Sequence, residues 1–268
     1  LWVLGEHDLE RLTSTAVAVI GARAASAYGE HVTSSIAGGL VDAGRTVVSG
    51  GAFGIDAAAH RAALAGDGVT VAVLAGGLDR PYPVGNARLL AAVGRSGALV
   101  SEVPPGSAPT RSRFLMRNRL IAALSGATVV VEAAWRSGAL STAGHAAALL
   151  RPVGAVPGPV TSATSAGCHR LLRDGRAVCV TDADEVLELV GPLDGGRPEP
   201  GDQDGTLVRD PEQLRVLEAL PLRVGALPEH LTRPAGLPLA VVRAHLGTLE
   251  IAGAARQDGG RWTRVTQG

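Results

Sequence analysis

The chain has 268 residues with 25 basic and 25 acidic side chains, so its formal net charge is zero. Every basic residue is Arg, which excludes Schiff-base, P-loop and general-base chemistry that needs Lys. An apolar fraction of 46% can bury a core and excludes disorder of the whole chain. Two Cys are too few for a disulfide framework or a CxxC zinc site, and neither a signal peptide nor an apolar membrane span is recognisable. We therefore expect a soluble, cytoplasmic protein, and since Leu1 is not Met, one whose chain begins inside a longer gene product.

Short apolar runs alternate with Ala-rich helical patterns up to about residue 190. The runs are continuously apolar, which is typical of parallel strands covered by helices on both faces. The predicted strands are 16–20, 46–49, 70–74, 98–101, 128–131 and 153–156, and the predicted helices are 31–43, 57–65, 86–93, 117–124 and 140–150. This alternation predicts an α/β domain over residues 1–190, an extended Rossmann-like, doubly wound and mostly parallel sheet.

The composition changes after this domain. Residues 191–205 are rich in Gly, Pro and acids, which predicts a linker. Residues 206–268 contain helical patterns at about 211–219, 227–231 and 239–250, followed by two short segments around the hairpin turn signal Gly259-Gly260. Three helices and a hairpin predict a small C-terminal winged-helix domain.

Three loops that follow predicted strands are rich in small residues: 21–29, 49–56 and 137–142. Ligands of open α/β sheets bind at the carboxyl ends of the strands, where backbone amides favour anions. Neither Gly-rich loop matches a dinucleotide or Walker motif, so neither of those sites is supported. Because three such loops lie on the same rim of the sheet, a generic phosphate site is favoured over tight turns alone.

The charge is unevenly distributed. Residues 103–173 contain eight Arg and one acid, Glu132. Within this stretch, residues 111–119 contain four Arg, an Asn and Phe114. Such a cluster can grip successive phosphates while the ring of Phe114 stacks on a base. The alternative is a solvated helix face with Phe114 in the core, which the lack of interleaved acids disfavours.

Together these motifs resemble one family. The sequence contains, in order, GAR (21–23), SGGAFGIDAAAH (49–60), GLDRPYP with Asn86 (77–86), SEVPPG (101–106), RNRLIAALS (117–125), SGALSTA (137–143), VPG (156–158) and GCHRLLRDG (167–175). It closely resembles the DNA-processing protein A family, also called DprA or Smf, over residues 1 to about 190. The resemblance implies a protein that binds single-stranded DNA, protects incoming DNA during natural transformation, and loads RecA recombinase onto it. It also implies a homodimer, and no cofactor or metal is expected.

The resemblance, together with the arginine cluster, gives the predicted DNA-contact residues. They are Gly21, Ala22, Arg23, Ser49, Gly50, Gly51, Phe53, Gly54, Arg111, Arg113, Phe114, Arg117, Asn118, Arg119, Gly138, His169 and Arg170. Two positions depart from the family pattern. Phe53 stands where the family usually has Arg, so either Phe53 stacks on a base or Arg111 or Arg113 supplies the lost charge. His169 stands where the family usually has Asn.

Catalysis is not expected, because no nucleophile elbow, metalloprotease helix or metal-ligand cluster occurs. Asp56 is interpreted as a helix N-cap, His60 as a donor to a loop carbonyl, and Glu102 as a partner of a nearby Arg. Two alternatives stay open. One is a phosphoribohydrolase-like nucleotide enzyme that uses Glu132. The other is a regulator that reads DNA with its winged helix, although the third helix offers only Arg243 and His245 among polar residues suited to base contacts.

Overall fold

The computed structural model describes residues 1–5, 7–191, 211–222, 225–251 and 253–265. The chain divides into two compact units, Leu1–Gly195 and Gly196–Gly268. Apart from Gly191, the predicted linker lies outside the described residues, and the domain boundaries at 190 and 206 stay predictions. Among the described residues, no helix has the length and apolar character needed to cross a membrane.

The first unit is built on one eight-stranded sheet. Its strands are β1 (Trp2–Leu4), β2 (Ala16–Ile20), β3 (Thr46–Ser49), β4 (Thr70–Leu74), β5 (Ala98–Ser101), β6 (Ala127–Val130), β7 (Val153–Ala155) and β8 (Val178–Cys179). The order across the sheet is β1-β5-β4-β3-β2-β6-β7-β8. Only β1 runs antiparallel to its neighbour. The predicted α/β class with a mostly parallel sheet is confirmed.

Helices cover both faces of this sheet. They are α1 (Leu9–Ser14), α2 (Ala27–Asp42), α3 (Ile55–Ala65), α4 (Ala87–Ser96), α5 (Arg111–Ala123), α6 (Ala139–Ala148), α7 (Ala166–Arg173) and α8 (Ala183–Val190). Successive residues of β2 point to opposite faces, so Val17 and Val19 join one core cluster while Ala18 and Ile20 join the other. Both faces of a strand are therefore buried, which explains the continuously apolar strand sequences.

The strand order reverses between β2 and β6. Successive strands from β2 to β5 extend toward one edge, and β6, β7 and β8 extend toward the other. The connections after β2 and β6 therefore leave the sheet in opposite directions and open a crevice beyond their carboxyl ends, where such sheets bind ligands. Gly21 follows β2 at this point, and the chain after β6 leads to Gly138.

Four predicted strands match the structure to the residue, while β6 lies one residue earlier than predicted and β7 ends one residue earlier. The main correction concerns α5, which was predicted over 117–124 and begins at Arg111. Thr110 caps this helix by accepting a hydrogen bond from the amide of Arg113 at 3.3 Å. The whole arginine-rich stretch is therefore helical, so its side chains point in different directions.

The second unit contains α9 (Pro211–Ala219), α10 (Pro228–Ala235), α11 (Leu239–Ile251), β9 (Ala255–Asp258) and β10 (Arg261–Arg264). The last two strands form an antiparallel hairpin. The core contains Val216, Leu231, Leu246 and Trp262. The predicted order of three helices and a hairpin is present, whereas the winged-helix assignment itself stays a prediction.

Candidate nucleic-acid interface

Two adjacent pockets lie at the carboxyl edge of the sheet. The outer pocket, of about 410 Å³, is lined by Arg23, Tyr82, Pro109, Thr110, Arg111, Phe114, Leu115 and Gly138. The inner pocket, of about 300 Å³, is lined by Ile20, Gly21, Arg23, Ala52, Asp56, Arg117, Ile121, Ser137, Gly138, Ala139 and Thr142. Because Arg23 and Gly138 line both, the pockets are neighbours. The loops after β2, β3 and β6, which the sequence singled out, therefore converge here.

Phe114 and Tyr82 line the outer pocket, and two cations contact the ring of Phe114. The guanidinium carbon of Arg23 lies 4.7 Å from the centroid of the Phe114 ring, and that of Arg117 lies 5.9 Å from it. The ring of Tyr82 is tilted against Phe114, with 5.8 Å between the centroids. Such cation–π and aromatic contacts fix the orientation of Phe114. Phe114 is half-buried, so it is neither a core residue nor a freely exposed ring.

Arg117 is buried, which the sequence did not predict. Only 6% of its surface is exposed, and its Nη1 donates a hydrogen bond of 2.7 Å to the carbonyl of Val73. Burial lowers the pKa of Arg117, and the neighbouring charge of Asp56 opposes this. A Cβ on Gly50 would lie 1.9 Å from Nη1 of Arg117, so Gly50 provides the space that the guanidinium occupies. Arg117 is therefore a buried cation in the floor of the inner pocket.

Asp56 lies beside this buried cation. Its Oδ2 accepts a hydrogen bond of 3.3 Å from the amide of Ala52, and the side chain is 7% exposed. Burial raises the pKa of Asp56, while Arg117 and the Ala52 amide partly offset this. The predicted N-cap role is wrong, because Gly54 occupies the N-cap and Asp56 lies in the first turn of α3. Asp56 instead lies close enough to Arg117 for the two side chains to interact electrostatically.

His60 is fully buried on α3. Its Nδ1 lies 2.7 Å from Oγ1 of Thr70, and that hydroxyl donates to the carbonyl of Val47. Because the hydroxyl proton is used in this way, Nδ1 of His60 donates to Thr70. The predicted donation to a loop carbonyl is therefore replaced by donation to a strand hydroxyl. Burial first, and then the charge of Arg117, lowers the pKa of His60 to about 3, so the imidazole is neutral near pH 7.

The loop after β3 packs closely on its own surroundings. Gly54 has a φ of 72°, and a Cβ there would lie 2.3 Å from the carbonyl oxygen of Ala22. Nδ2 of Asn86 donates to the carbonyls of Gly51 and Ala52, at 3.0 Å each. The hydroxyl of Ser49 is buried and donates to Val19. Intramolecular packing therefore explains much of the glycine content of this loop, and a tight turn of this kind was the alternative to a phosphate site.

The other residues of the arginine-rich helix have distinct environments. Arg119 forms an ion pair with Glu102, as predicted for Glu102. Asn118 is 8% exposed and its Nδ2 donates to the carbonyl of Gly138 at 3.2 Å, so it supports the wall that both pockets share. Arg113 is half-buried, whereas Arg111 is exposed on the outer pocket. The cluster of residues 111–119 is thus divided between pocket, ion pair and interior.

Comparison with known proteins identifies the relatives of this fold and site. The sequence profile described as DNA recombination-mediator protein A matches residues 1–191. This chain belongs to the DNA recombination-mediator protein A family. The resemblance drawn from the sequence motifs is thereby confirmed.

Relatives in this family include a putative DNA processing protein DprA from Mycobacterium tuberculosis, which is 52% identical over 100% of this chain and 69% of its own length. The DNA processing protein DprA of Streptococcus pneumoniae is 42% identical over 67% of this chain and 63% of its own length. The crystal structure of the pneumococcal protein superposes with a TM-score of 0.66, at 40% identity, over 69% of this chain and 64% of that one. DNA processing protein A from Helicobacter pylori, whose structure was studied for its single-stranded DNA binding mode, gives a TM-score of 0.64 at 30% identity over 69% of this chain and 84% of that one.

Six of the predicted contact residues line the pockets, namely Gly21, Arg23, Arg111, Phe114, Arg117 and Gly138, and the others line neither, among them Phe53, His169 and Arg170. Phe53 is 50% exposed, and its ring lies beside Gly85. Nε2 of His169 lies 2.9 Å from the carbonyl of Gly158. The guanidinium of Arg170 lies 5.0 Å from the ring centroid of Trp135. None of the three lines the inner or the outer pocket.

Glu132 connects distant segments of the chain near the point where the strand order reverses between β2 and β6. It is 1% exposed and accepts hydrogen bonds from the amide and hydroxyl of Ser26, at 2.9 and 2.6 Å, and from the hydroxyl of Thr164 at 2.9 Å. A buried carboxylate with three donors is suited to a structural connection rather than to acid–base chemistry. Within the described ranges, no group of three or more His, Cys, Asp or Glu is placed to hold a metal ion.

Proposed function

We propose that this protein binds single-stranded DNA without sequence preference, protects incoming DNA during natural transformation, and loads RecA recombinase onto it in the cytoplasm. Membership of the family supports this proposal, as does the description of the Helicobacter pylori relative as a single-stranded DNA binder. The observation that supports it most directly is the outer pocket, where Arg23 and Arg111 surround the half-buried ring of Phe114. Proteins that bind single strands combine cations for the phosphates with aromatic rings on which bases stack.

In this proposal the predicted contact residues divide the work. Arg23 and Arg111 are exposed and pair with phosphates, and the rings of Phe114 and Tyr82 contact bases. Arg117 acts from beneath the pocket as a fixed positive charge. Asn118 and the glycine-rich loop position the walls. Arg111 lies on the outer pocket and is the candidate to replace the cation that Phe53 removes.

We also infer that the protein is not an enzyme. Asp56 is buried beside Arg117 and accepts from the Ala52 amide, and His60 is buried and neutral. Glu132, which the phosphoribohydrolase-like alternative requires, has its oxygens occupied by three protein donors. The acid–base candidates therefore all have structural partners. Incubation with nucleoside monophosphates is expected to release no free base, and base release without oligo-dT binding would overturn this choice.

The test of the pocket uses Arg23→Ala and Arg111→Ala, with Arg95→Ala as the control. Arg95 is exposed at the end of α4, which leads into the start of β5 at the opposite edge of the sheet. Fluorescence anisotropy with labelled oligo-dT at several salt concentrations measures the affinity. We expect each pocket variant to bind roughly ten-fold more weakly and to lose about 0.7 from the slope of log affinity against log salt.

Arg95→Ala should behave as wild type, and the pocket variants should weaken binding to all sequences about equally. A flat salt response of the wild type would contradict the phosphate contacts. Equal losses in Arg95→Ala and in the pocket variants would mean that general charge, rather than the pocket, attracts the strand. Arg117 is less suited to this test, because replacing a buried arginine also affects folding.

The proposed homodimer would place two pockets on one strand and raise avidity. Sedimentation velocity at several protein concentrations tests the dimer. Nucleation of RecA filaments on SSB-coated DNA, with and without this protein, tests loading.

If residues 206–268 have an accessory role, as we propose for the winged-helix domain, deleting them leaves most of the affinity for oligo-dT intact. Loss of most of that affinity would favour the alternative in which this domain reads DNA.

A further inference from the structure

A second exposed aromatic residue lies beside the pockets. The chain makes a turn after β6 in which the amide of Ser137 donates to the carbonyl of Ala134 at 3.0 Å. Trp135 and Arg136 form the tip of this turn, and Trp135 is 52% exposed. An indole with half of its surface in solvent contributes little to the core. None of the roles assigned above uses it.

Trp135 is held in place by helix α7. The guanidinium of Arg170 lies 5.0 Å from its ring centroid, and Nε of Arg170 also pairs with Asp174 at 3.4 Å. The amide of Gly167 at the start of α7 donates to the carbonyl of Ala133 at 2.7 Å, which fixes the helix against this turn. The ring is thus oriented by a cation while about half of its surface remains open.

The turn leads directly into the wall of the pockets. Ser137 lines the inner pocket, and Gly138 lines both pockets. Since consecutive Cα atoms are about 3.8 Å apart, the backbone of Trp135 lies within roughly 8 Å of that of Ser137. No Cβ at Gly138 would meet another atom within 4 Å, so a strand can cross this residue closely. The turn that carries Trp135 is therefore continuous with the wall that both pockets share.

We propose that Trp135 is a second stacking platform, which binds a base of the single strand where it leaves the outer pocket over Gly138. Arg136 pairs with an adjacent phosphate, and Arg170 is the positioning residue for the indole. This inference rests on the proposed binding of single-stranded DNA and adds a subsite to it. A nucleic acid fits this surface better than a protein partner, because an aromatic face flanked by cations matches stacked bases and phosphates.

The experiment measures affinity for oligo-dT of increasing length, from about 4 to about 20 nucleotides, by fluorescence anisotropy. Trp135→Ala is compared with Trp135→Phe, which retains a stacking face. Trp2→Ala is the matched control, because Trp2 is 49% exposed on the edge strand β1. The shortest oligonucleotides, which fill only the outer pocket, should bind Trp135→Ala as they bind wild type. Longer ones should bind it roughly five-fold to a hundred-fold more weakly, with Trp135→Phe near wild type.

Intrinsic fluorescence gives an independent readout. The chain has three Trp, and Trp262 is buried in the second unit. Long oligo-dT should quench the emission of wild type and of Trp2→Ala, and this quenching should be absent in Trp135→Phe.

The outcomes separate this inference from the proposed function. Failure of the wild type to bind oligo-dT of any length would overturn both. Tight wild-type binding, with Trp135→Ala unchanged at every length, would overturn the Trp135 subsite alone. An equal loss at all lengths, accompanied by a changed sedimentation coefficient, would also overturn it, because Trp135 would then support assembly.

Discussion

Gly50 offers a direct test of the buried arginine. A methyl group added at this position would lie 1.9 Å from Nη1 and 2.6 Å from Cζ of Arg117, and 2.6 Å from Oδ2 of Asp56. The substitution Gly50→Ala therefore forces the guanidinium away from the carbonyl of Val73, to which it donates at 2.7 Å. The backbone of Gly50 does not have a positive φ, so Ala introduces no conformational strain of its own.

The expected cost follows from two effects. Overpacking a buried site costs about 1–3 kcal/mol. Losing a hydrogen bond from a buried charged donor costs about 1.5–3 kcal/mol. Gly50→Ala should therefore lower the free energy of unfolding by about 3–5 kcal/mol. In an Arg117→Met background the clash with the guanidinium is absent while the one with Oδ2 of Asp56 remains, so the same substitution should cost about 1.5–3 kcal/mol less than in wild type.

Urea denaturation followed by far-UV circular dichroism measures the free energy of unfolding of wild type, Gly50→Ala, Arg117→Met and the double variant. Gly38→Ala is the control, because Gly38 lies within α2 and a Cβ there meets no atom within 4 Å. This control should be stabilised by about 0.5–1 kcal/mol, since Ala is the better helix former. If Gly50→Ala costs the same with and without Arg117, to within about 0.5 kcal/mol, the proposed contact is refuted.

Three further outcomes are expected. Burial lowers the pKa of His60 to about 3, whereas its pKa in the unfolded chain is about 6.5. The free energy of unfolding should therefore fall as the pH drops below 6.5, by roughly 2 kcal/mol at pH 5. The urea midpoint of wild type should show this fall, and the midpoint of His60→Asn should depend less on pH. Glu102→Gln removes the ion pair between Glu102 and the exposed Arg119. The free energy of unfolding should change by less than about 1 kcal/mol, and fluorescence anisotropy should show tighter binding of oligo-dT. Weaker binding would contradict a free cation near the site. Ser26→Ala removes the cap of α2 and a hydrogen bond to Glu132 and should cost about 2 kcal/mol in thermal or urea unfolding, whereas a change below about 0.5 kcal/mol would mean that neither bond matters.

The sheet could be predicted from the sequence because its strands are buried on both faces. A run such as Ala16–Ile20 is apolar at every position, and loops with turn residues bound it on both sides. The edge strands gave no such signal. β1 has three exposed apolar residues next to the chain start, and β8 has only two residues, Val178 and Cys179. A pattern of this length cannot be distinguished from a loop, since tertiary pairing alone makes it a strand.

The loops of the site were predicted from the sequence, but the roles of its side chains were not. Composition shows that Arg117 belongs to a basic segment, and only the fold shows that it points inward, toward Val73 and Asp56. The phosphoribohydrolase-like alternative assigns a catalytic role to Glu132. The three donors that occupy it come from residues 26 and 164, far apart in the chain, and no local pattern reports such distant pairs.

The absence of Lys has a structural consequence that the neutral total charge conceals. A buried lysine readily loses its proton, whereas a guanidinium stays charged even when burial lowers its pKa, so Arg117 remains a cation in the pocket floor. The planar group also packs against rings, as Arg23 does on Phe114 and Arg170 does on Trp135. An ammonium ion at these positions would keep the charge and lose the flat contact. In the proposed DNA site, the same arginine side chains can therefore orient the aromatic rings and attract the DNA backbone.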